Sequence, residues 1–439
     1  MDSLLIGWTS VLIIFAAFIS LRFERTLFTP MLLTGVAFFL PMIAACFRLS
    51  GLQSPSWAFE TYVVMFLATI AWLLMPMGMS IANYSVQNRG ESHHKPTIFS
   101  VESFIRPEVY VICRWVALLV LMFFFLGNVI QAGSPVILHA ESLYGLHTDF
   151  PFAIRFFARA TPLCCMLMYM CYYKNRRWLD AFLLLLVLLV PLTRGARIDI
   201  AMSLTALIIL FSRYPLVKVT WKTIVVSGLL FVLLIIGGVE FGNQRLNRFG
   251  EYEVTYDTVV KWLPQSTGPG MLFPTLYAYF PLSFENFDQA VRQGMGSTTR
   301  GFASMDWFLT GFIKANWIPG YASIYFDAKT LNPISGGANV PTALLPFFTD
   351  FGAIFCFIPM ALTMSFLCYA YFKGKASDAW FMVFALYASA FALTSFQGLL
   401  VSPLISQQIA ELGLLILLFK RCIIRRDLIQ ARGGIYSAR

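Results

Sequence analysis

Arg194 and Arg197 stand in Thr193-Arg194-Gly195-Ala196-Arg197, the whole connection between two apolar runs at 178–192 and 198–211. A guanidinium keeps its charge and is costly at membrane depth, so arginines placed there face a protein cavity and an anionic partner, not lipid. Arg155 and Arg159 are spaced i, i+4 near the end of another apolar run, which puts both on one helix face as a single clamp. Arg245, Arg248, Arg292 and Arg300 follow in one long polar segment. The planar fork of arginine matches phosphate bidentately, and several forks suit a diphosphate and the charge that develops as it departs. Local pairing is the competing use, as with Arg197 and Asp199 or Arg248 and Glu251. A transfer to a hydroxyl also needs a proton acceptor. Glu240, Glu285, Asp288, Asp306, Asp327 and Asp350 are candidates, and spacing does not choose among them. The chemistry implied is transfer from a phosphate-bearing lipid to a polar, carbohydrate-like acceptor.

The elements that position these residues are membrane helices. Apolar residues make up 58% of the chain and charged ones only 12%, and the mean hydropathy is +0.72, which excludes an ordinary soluble domain. About eleven runs approach the length that crosses a roughly 30 Å hydrocarbon core: 4–21, 27–47, 59–82, 109–130, 154–173, 178–192, 198–211, 223–239, 345–372, 379–394 and 404–419. Alternate connections carry the basic residues, from Arg22 and Arg25 through Lys174, Arg176 and Arg177 to Lys373, Lys375 and the run from Lys420 to Arg426. Such loops stay in the cytoplasm. The N-terminus, 48–58, 131–153, 193–197 and 240–341 then lie outside, and the C-terminus lies inside. The run at 4–21 has no basic leader and no small-residue cleavage site, so it reads as a retained helix.

Much of the +10 net charge is therefore topology signal, and no folded basic domain supports nucleic-acid binding. The eight cysteines lie in or beside apolar runs without metal spacing, and the four histidines lack ligand partners, so no metal and no cofactor are expected. No internal repeat is present. The chain divides into an N-terminal bundle at 1–239, a large outer loop or cap at 240–341, and C-terminal helices with a tail at 342–439. So long a connection is functional or disordered, and its aromatics, including Trp307, Trp317 and Tyr321, argue for an ordered cap. Aromatic faces with polar edges suit sugar rings as well as an interfacial belt.

The stretch Gly337-Ala-Asn339-Val-Pro-Thr342-Ala-Leu-Leu-Pro-Phe-Phe-Thr-Asp350-Phe351-Gly352 resembles the signature of bacterial O-antigen and related repeat-unit polymerases of the Wzy type. Thr193-Arg194-Gly195 resembles the same family's arginine motif, and Phe241-Gly-Asn-Gln-Arg245 and the region from Tyr277 to Phe287, with Ser283 and Asn286, match more loosely. The resemblance covers roughly residues 190 to 355 and the overall hydropathy profile. It implies an all-α polytopic fold of the GT-C-like polymerase kind and a metal-independent, inverting glycosyltransferase in the bacterial inner membrane, with its site facing the periplasm. The growing glycan would pass from undecaprenyl diphosphate to a lipid-linked repeat unit, with a chain-length-regulating co-polymerase as partner. Carried over by position, Arg194 and Arg245 contact diphosphate, and Asn339, Thr342 and Asp350 build or brace the mouth. Independently of the resemblance, their placement makes Arg155, Arg159, Arg197 and Arg300 further candidate anion ligands, and Trp307, Trp317 and Tyr321 candidate glycan contacts. Asp350 is base or brace, with Asp306 and Glu240 as the other acids considered for catalysis. Asp350-Phe351-Gly352 also spells a kinase motif, but no glycine-rich loop, strand lysine or HRD partner accompanies it. An O-antigen ligase would carry a histidine in its late outer loop, and this chain has none beyond His147. A membrane acyltransferase would need a histidine set beside its acyl donor, whereas His93 and His94 lie in a cytoplasmic loop. A lipid-linked oligosaccharide flippase would favour internal repeats and broken helices over a one-sided cap.

Overall fold

A computed structural model describes residues 1–49, 53–88, 107–132, 152–194, 197–216, 272–305, 308, 342–395, 398–402 and 404–419, and every regular element among them is helical. In chain order these are α1 (Asp2–Glu24), α2 (Pro30–Cys46), α3 (Phe59–Ser85), α4 (Pro107–Ala132), α5 (Phe152–Arg159), α6 (Thr161–Asn175), α7 (Trp178–Leu189, then a 3-10 turn Val190–Arg194), α8 (Arg197–Arg213), α9 (Leu272–Arg292), α10 (Leu345–Phe355), α11 (Phe357–Gly374), α12 (Asp378–Phe391) and α13 (Leu404–Phe419). By length and composition α1, α3 and the Val109–Ile130 part of α4 can each cross a membrane, and α2, α7, α12 and α13 are shorter apolar helices. This is the architecture of a helical, multi-pass membrane protein. The expected span at 223–239 lies outside the described residues.

Two expected spans are not continuous. The run at 345–372 is a pair, α10 and α11, bent by 120°. Gly352 inside α10 has φ +70° and ψ −174°, a backbone that side-chain-bearing residues rarely adopt, and this breaks the helix where hydropathy alone is uninterrupted. The run at 154–173 is interrupted at Ala160, just before Pro162 in the first turn of α6. No exact count of eleven is therefore visible in the described residues.

The chain packs as two compact units interleaved in sequence. One is Met1–Glu91 with Val217–Cys368 and Ala390–Pro403, and the other is Ser92–Leu216 with Tyr369–Ser389 and Leu404–Arg439. The described part of the 240–341 stretch, residues 272–305, lies within the first unit.

Proline shapes the first unit. Pro41 and Pro76 lie in α2 and α3 just beyond π-helical turns at Gly35–Phe39 and Ile70–Leu74. Pro76 has no N–H for the carbonyl of Trp72 four residues earlier. That carbonyl instead accepts from the Thr34 hydroxyl at 2.8 Å, which fastens α2 to α3. Phe38, Phe39, Trp72, Phe284 and Phe391 form the buried aromatic core around it. Phe284 comes from α9, whose residues Leu282–Asp288, within the stretch read as an outer cap, are buried.

In the second unit α4 runs beside α7. Arg114 grips Asp180 through Nε at 2.7 Å and Nη2 at 3.0 Å, and Asn128 donates to the Thr193 hydroxyl at 2.8 Å. The two pairs are separated by about fourteen residues of α4, roughly 21 Å at 1.5 Å per residue. They pin opposite ends of the two helices.

Candidate functional site

Glu285 and Asp288, two of the acids available as a base, are fully engaged at one end of the first unit. Glu285 accepts from Arg48 (3.0 Å), the Ser54 amide (3.0 Å), the Ser54 hydroxyl (2.7 Å) and Trp57 Nε1 (2.7 Å). Asp288 accepts from the Ala58 amide, the Thr61 hydroxyl and Arg292 Nε, each at 2.6 Å. Arg48 also holds Asp2 at 2.9 and 3.1 Å and lies over the Trp57 ring. Burial alone would lower the Arg48 pKa, but the hydrogen bonds and charge of Asp2, with Glu285 behind them, outweigh it and raise the value. Asp2, Arg48, residues 54–61 and the end of α9 thus meet at one end of this unit. This clasp is structural. Sequence reading did not single out Asp2 or Arg48, because they meet each other across 46 positions and Arg48 meets Glu285 across 237.

Asp350 organises a second cluster in the same unit. It is buried on α10, and its Oδ1 accepts from the Thr299 hydroxyl, the Gly301 amide (2.8 Å) and the Ala303 amide (3.1 Å). Oδ2 accepts from the Ser304 amide at 2.5 Å. Backbone bonds from Ser297 to Phe348 and from Thr299 to Thr349 dock the same turn on α10. Gly352 completes the fit, since a Cβ there would lie 3.0 Å from Ser297 Oγ. At the tip, Arg300 is exposed with φ 49° and has no carboxylate within ion-pair distance among the described residues. Four donors on one carboxylate leave Asp350 holding a turn, and the residue the turn exposes is a cation. Thr342 is buried at the foot of α10, where its hydroxyl accepts from the Leu344 amide at 3.4 Å. Ser283 donates its hydroxyl to the Ser395 carbonyl.

The second unit carries the other arginines. Arg155 and Arg159 are on α5, Arg194 closes the 3-10 turn after α7, and Arg197 opens α8. The turn that carries Arg194 is fixed by Thr193, whose hydroxyl donates to the Val190 carbonyl at 2.6 Å while accepting from Asn128. The end of α5 is fixed by α13. Gln407 Nε2 donates to the Phe156 carbonyl and Gln408 Nε2 to the Arg159 carbonyl, both at 2.9 Å, and Gln407 also donates to Glu411 at 2.7 Å. Glu411 escaped the sequence reading, although an acid alone in the apolar run 404–419 is itself a functional signal.

Glu240, Arg245, Asp306, Trp307, Trp317, Tyr321, Asp327 and Asn339 lie outside the described residues. No group of three metal-ligating side chains occurs among the described residues, and the seven described cysteines are free and buried. Compared with models of known protein families, with curated proteins and with solved structures, the chain matches none.

Proposed function

We propose that the chain is a glycan polymerase of the inner membrane. It transfers a growing oligosaccharide from undecaprenyl diphosphate to a lipid-linked repeat unit at the periplasmic face, by inversion and without metal or cofactor. The observation that carries this reading is the Asp350 turn. The acid of the Gly337–Gly352 motif spends its hydrogen-bonding capacity on the 299–304 turn, and that turn exposes Arg300. Such an arrangement suits a diphosphate, which needs cations held rigidly where charge develops. The fixed turn before Arg194 and the fixed end of α5, with Arg155 and Arg159, support the same use of arginine. Trp307, Trp317, Tyr321 and Asn339 remain the glycan contacts of this proposal, and a co-polymerase its partner in setting chain length.

Deletion of the gene tests the reading. Polymerase loss leaves lipopolysaccharide core bearing a single repeat unit, and complementation restores the ladder. Core with no repeat would point to a ligase or a flippase and sink the proposal.

A further inference from the structure

Among the described residues the acids divide by what their oxygens do. Glu285, Asp288 and Asp350 are saturated by donors, and Asp180 is gripped by Arg114 and approached by Asn175 at 3.3 Å. Only Glu411 Oε2 and Asp378 Oδ2 are buried carboxylate oxygens without a hydrogen-bond partner. Asp378 follows Lys373 and Lys375 on the basic side of the chain, and its other oxygen accepts the Tyr214 hydroxyl. Glu411 stands elsewhere. It is three residues from Gln408 and four from Gln407 on α13, so all three share one helix face, and both glutamines grip the backbone of the arginine-bearing α5. Gln408 Oε1 is buried and unpartnered as well. Two acceptor oxygens one turn apart therefore have no donor, in an apolar helix where leucine would pack at less cost.

We propose that Glu411 is the proton acceptor for the attacking sugar hydroxyl, with Gln408 Oε1 receiving a neighbouring hydroxyl of the same glycan. The assignment rests on the polymerase reading and deepens it. In the step, the acceptor oxygen bonds to the donor's anomeric carbon as the bond from that carbon to the diphosphate oxygen breaks. The bonding pair leaves with undecaprenyl diphosphate, and the hydroxyl proton passes to Glu411 Oε2 and then to water at the outer face. Among the described residues, the titratable or charged groups facing Glu411 are Arg159 on α5 and Cys164 on α6. Arg159 supplies the positive charge that an ionised carboxylate there requires.

The test uses the full chain in lipid nanodiscs with a lipid-linked repeat unit. Glu411→Gln keeps the volume and the acceptor for Gln407 but removes the basic oxygen. Its single-turnover rate should fall about 10²- to 10⁴-fold, with polyprenyl diphosphate binding within about twofold of wild type and thermal stability retained. The acid limb of the wild-type pH profile should be absent from the residual rate of the variant, and Glu411→Asp should recover part of the loss. Near-wild-type turnover in Glu411→Gln overturns the assignment, as does a loss shared equally by turnover, binding and stability. Binding of the free repeat-unit oligosaccharide separates this proposal from the polymerase reading. Gln408→Leu should weaken it at least about fivefold, by loss of a buried hydrogen bond to the ligand, even if the wild-type chain proves to make no polymer. Unchanged glycan binding in Gln408→Leu, or none in wild type, overturns the glycan site itself.

Discussion

Replacing Asp350 by Asn separates a brace from a base. The side chain keeps its shape but puts an amide N–H₂ against at least one of the donors that now meet the carboxylate. If the amide carbonyl takes the place of Oδ1, the Ser304 amide at 2.5 Å loses its acceptor and faces another donor. An unsatisfied buried donor costs about 1–3 kcal/mol, and the bonds from Thr299, Gly301 and Ala303 each lose the added strength of an ionised acceptor, for a total of about 3–5 kcal/mol. The cost falls on the docking of the 297–304 turn, so it should appear as local opening before global unfolding. At tenfold per 1.4 kcal/mol, exchange of the Gly301, Ala303 and Ser304 amides with deuterium should accelerate roughly 10²- to 4 × 10³-fold. Hydrogen exchange read by mass spectrometry on peptides spanning 297–305, in nanodiscs, measures it. Polymer formation should fall with it, and Asp350→Asn should add little to the loss already caused by Arg300→Ala. Unchanged exchange with abolished turnover would refute the bracing argument and return Asp350 to the role of base. Losses that multiply between the two sites would also refute it, because residues acting through one another do not add independently.

Gly352→Ala is predicted to cost about 1–3 kcal/mol through its positive φ, and its Cβ would press on Ser297 Oγ. A second change, Ser297→Ala, should restore only the steric part, measured as thermal midpoint and ladder yield. Arg48→Lys keeps the charge but cannot reach Asp2, the Ser54 carbonyl and Glu285 together, so the detergent-solubilised chain should lose about 2–4 kcal/mol of stability. A midpoint shift below about 1 °C would contradict that clasp. Arg194→Lys is predicted to abolish the ladder at normal expression, because an ammonium cannot form the bidentate fork. A full ladder would mark Arg194 as a topological residue only.

The helical membrane fold was legible because apolar runs and alternating basic loops are local signals. Their breaks were less so. Hydropathy through 345–372 does not register that Gly352 adopts a left-handed φ, nor that Thr34 must answer the carbonyl Pro76 leaves open. Aromatic content in 240–341 did not reveal α9 within it, whose Phe284 is buried among Phe38 and Trp57. For the candidate site, Asp350 was legible as an acid at a helix entrance. Its role was not, since the donors lie about fifty residues earlier in sequence. Glu285 and Asp288 looked available for catalysis only because their partners, Ser54, Trp57, Ala58 and Thr61, are distant in the chain. Glu411, a lone acid in an apolar run, was passed over, and its meaning depends on Gln408 and on the end of α5.

Reconstitution tests the central claim most directly. The purified chain in proteoliposomes, given only undecaprenyl diphosphate-linked repeat units and no metal ion, should convert them into a ladder of longer lipid-linked glycans and release undecaprenyl diphosphate, one for each linkage formed. Repeat units that stay single, with no undecaprenyl diphosphate released under conditions where they bind the chain, would contradict the account.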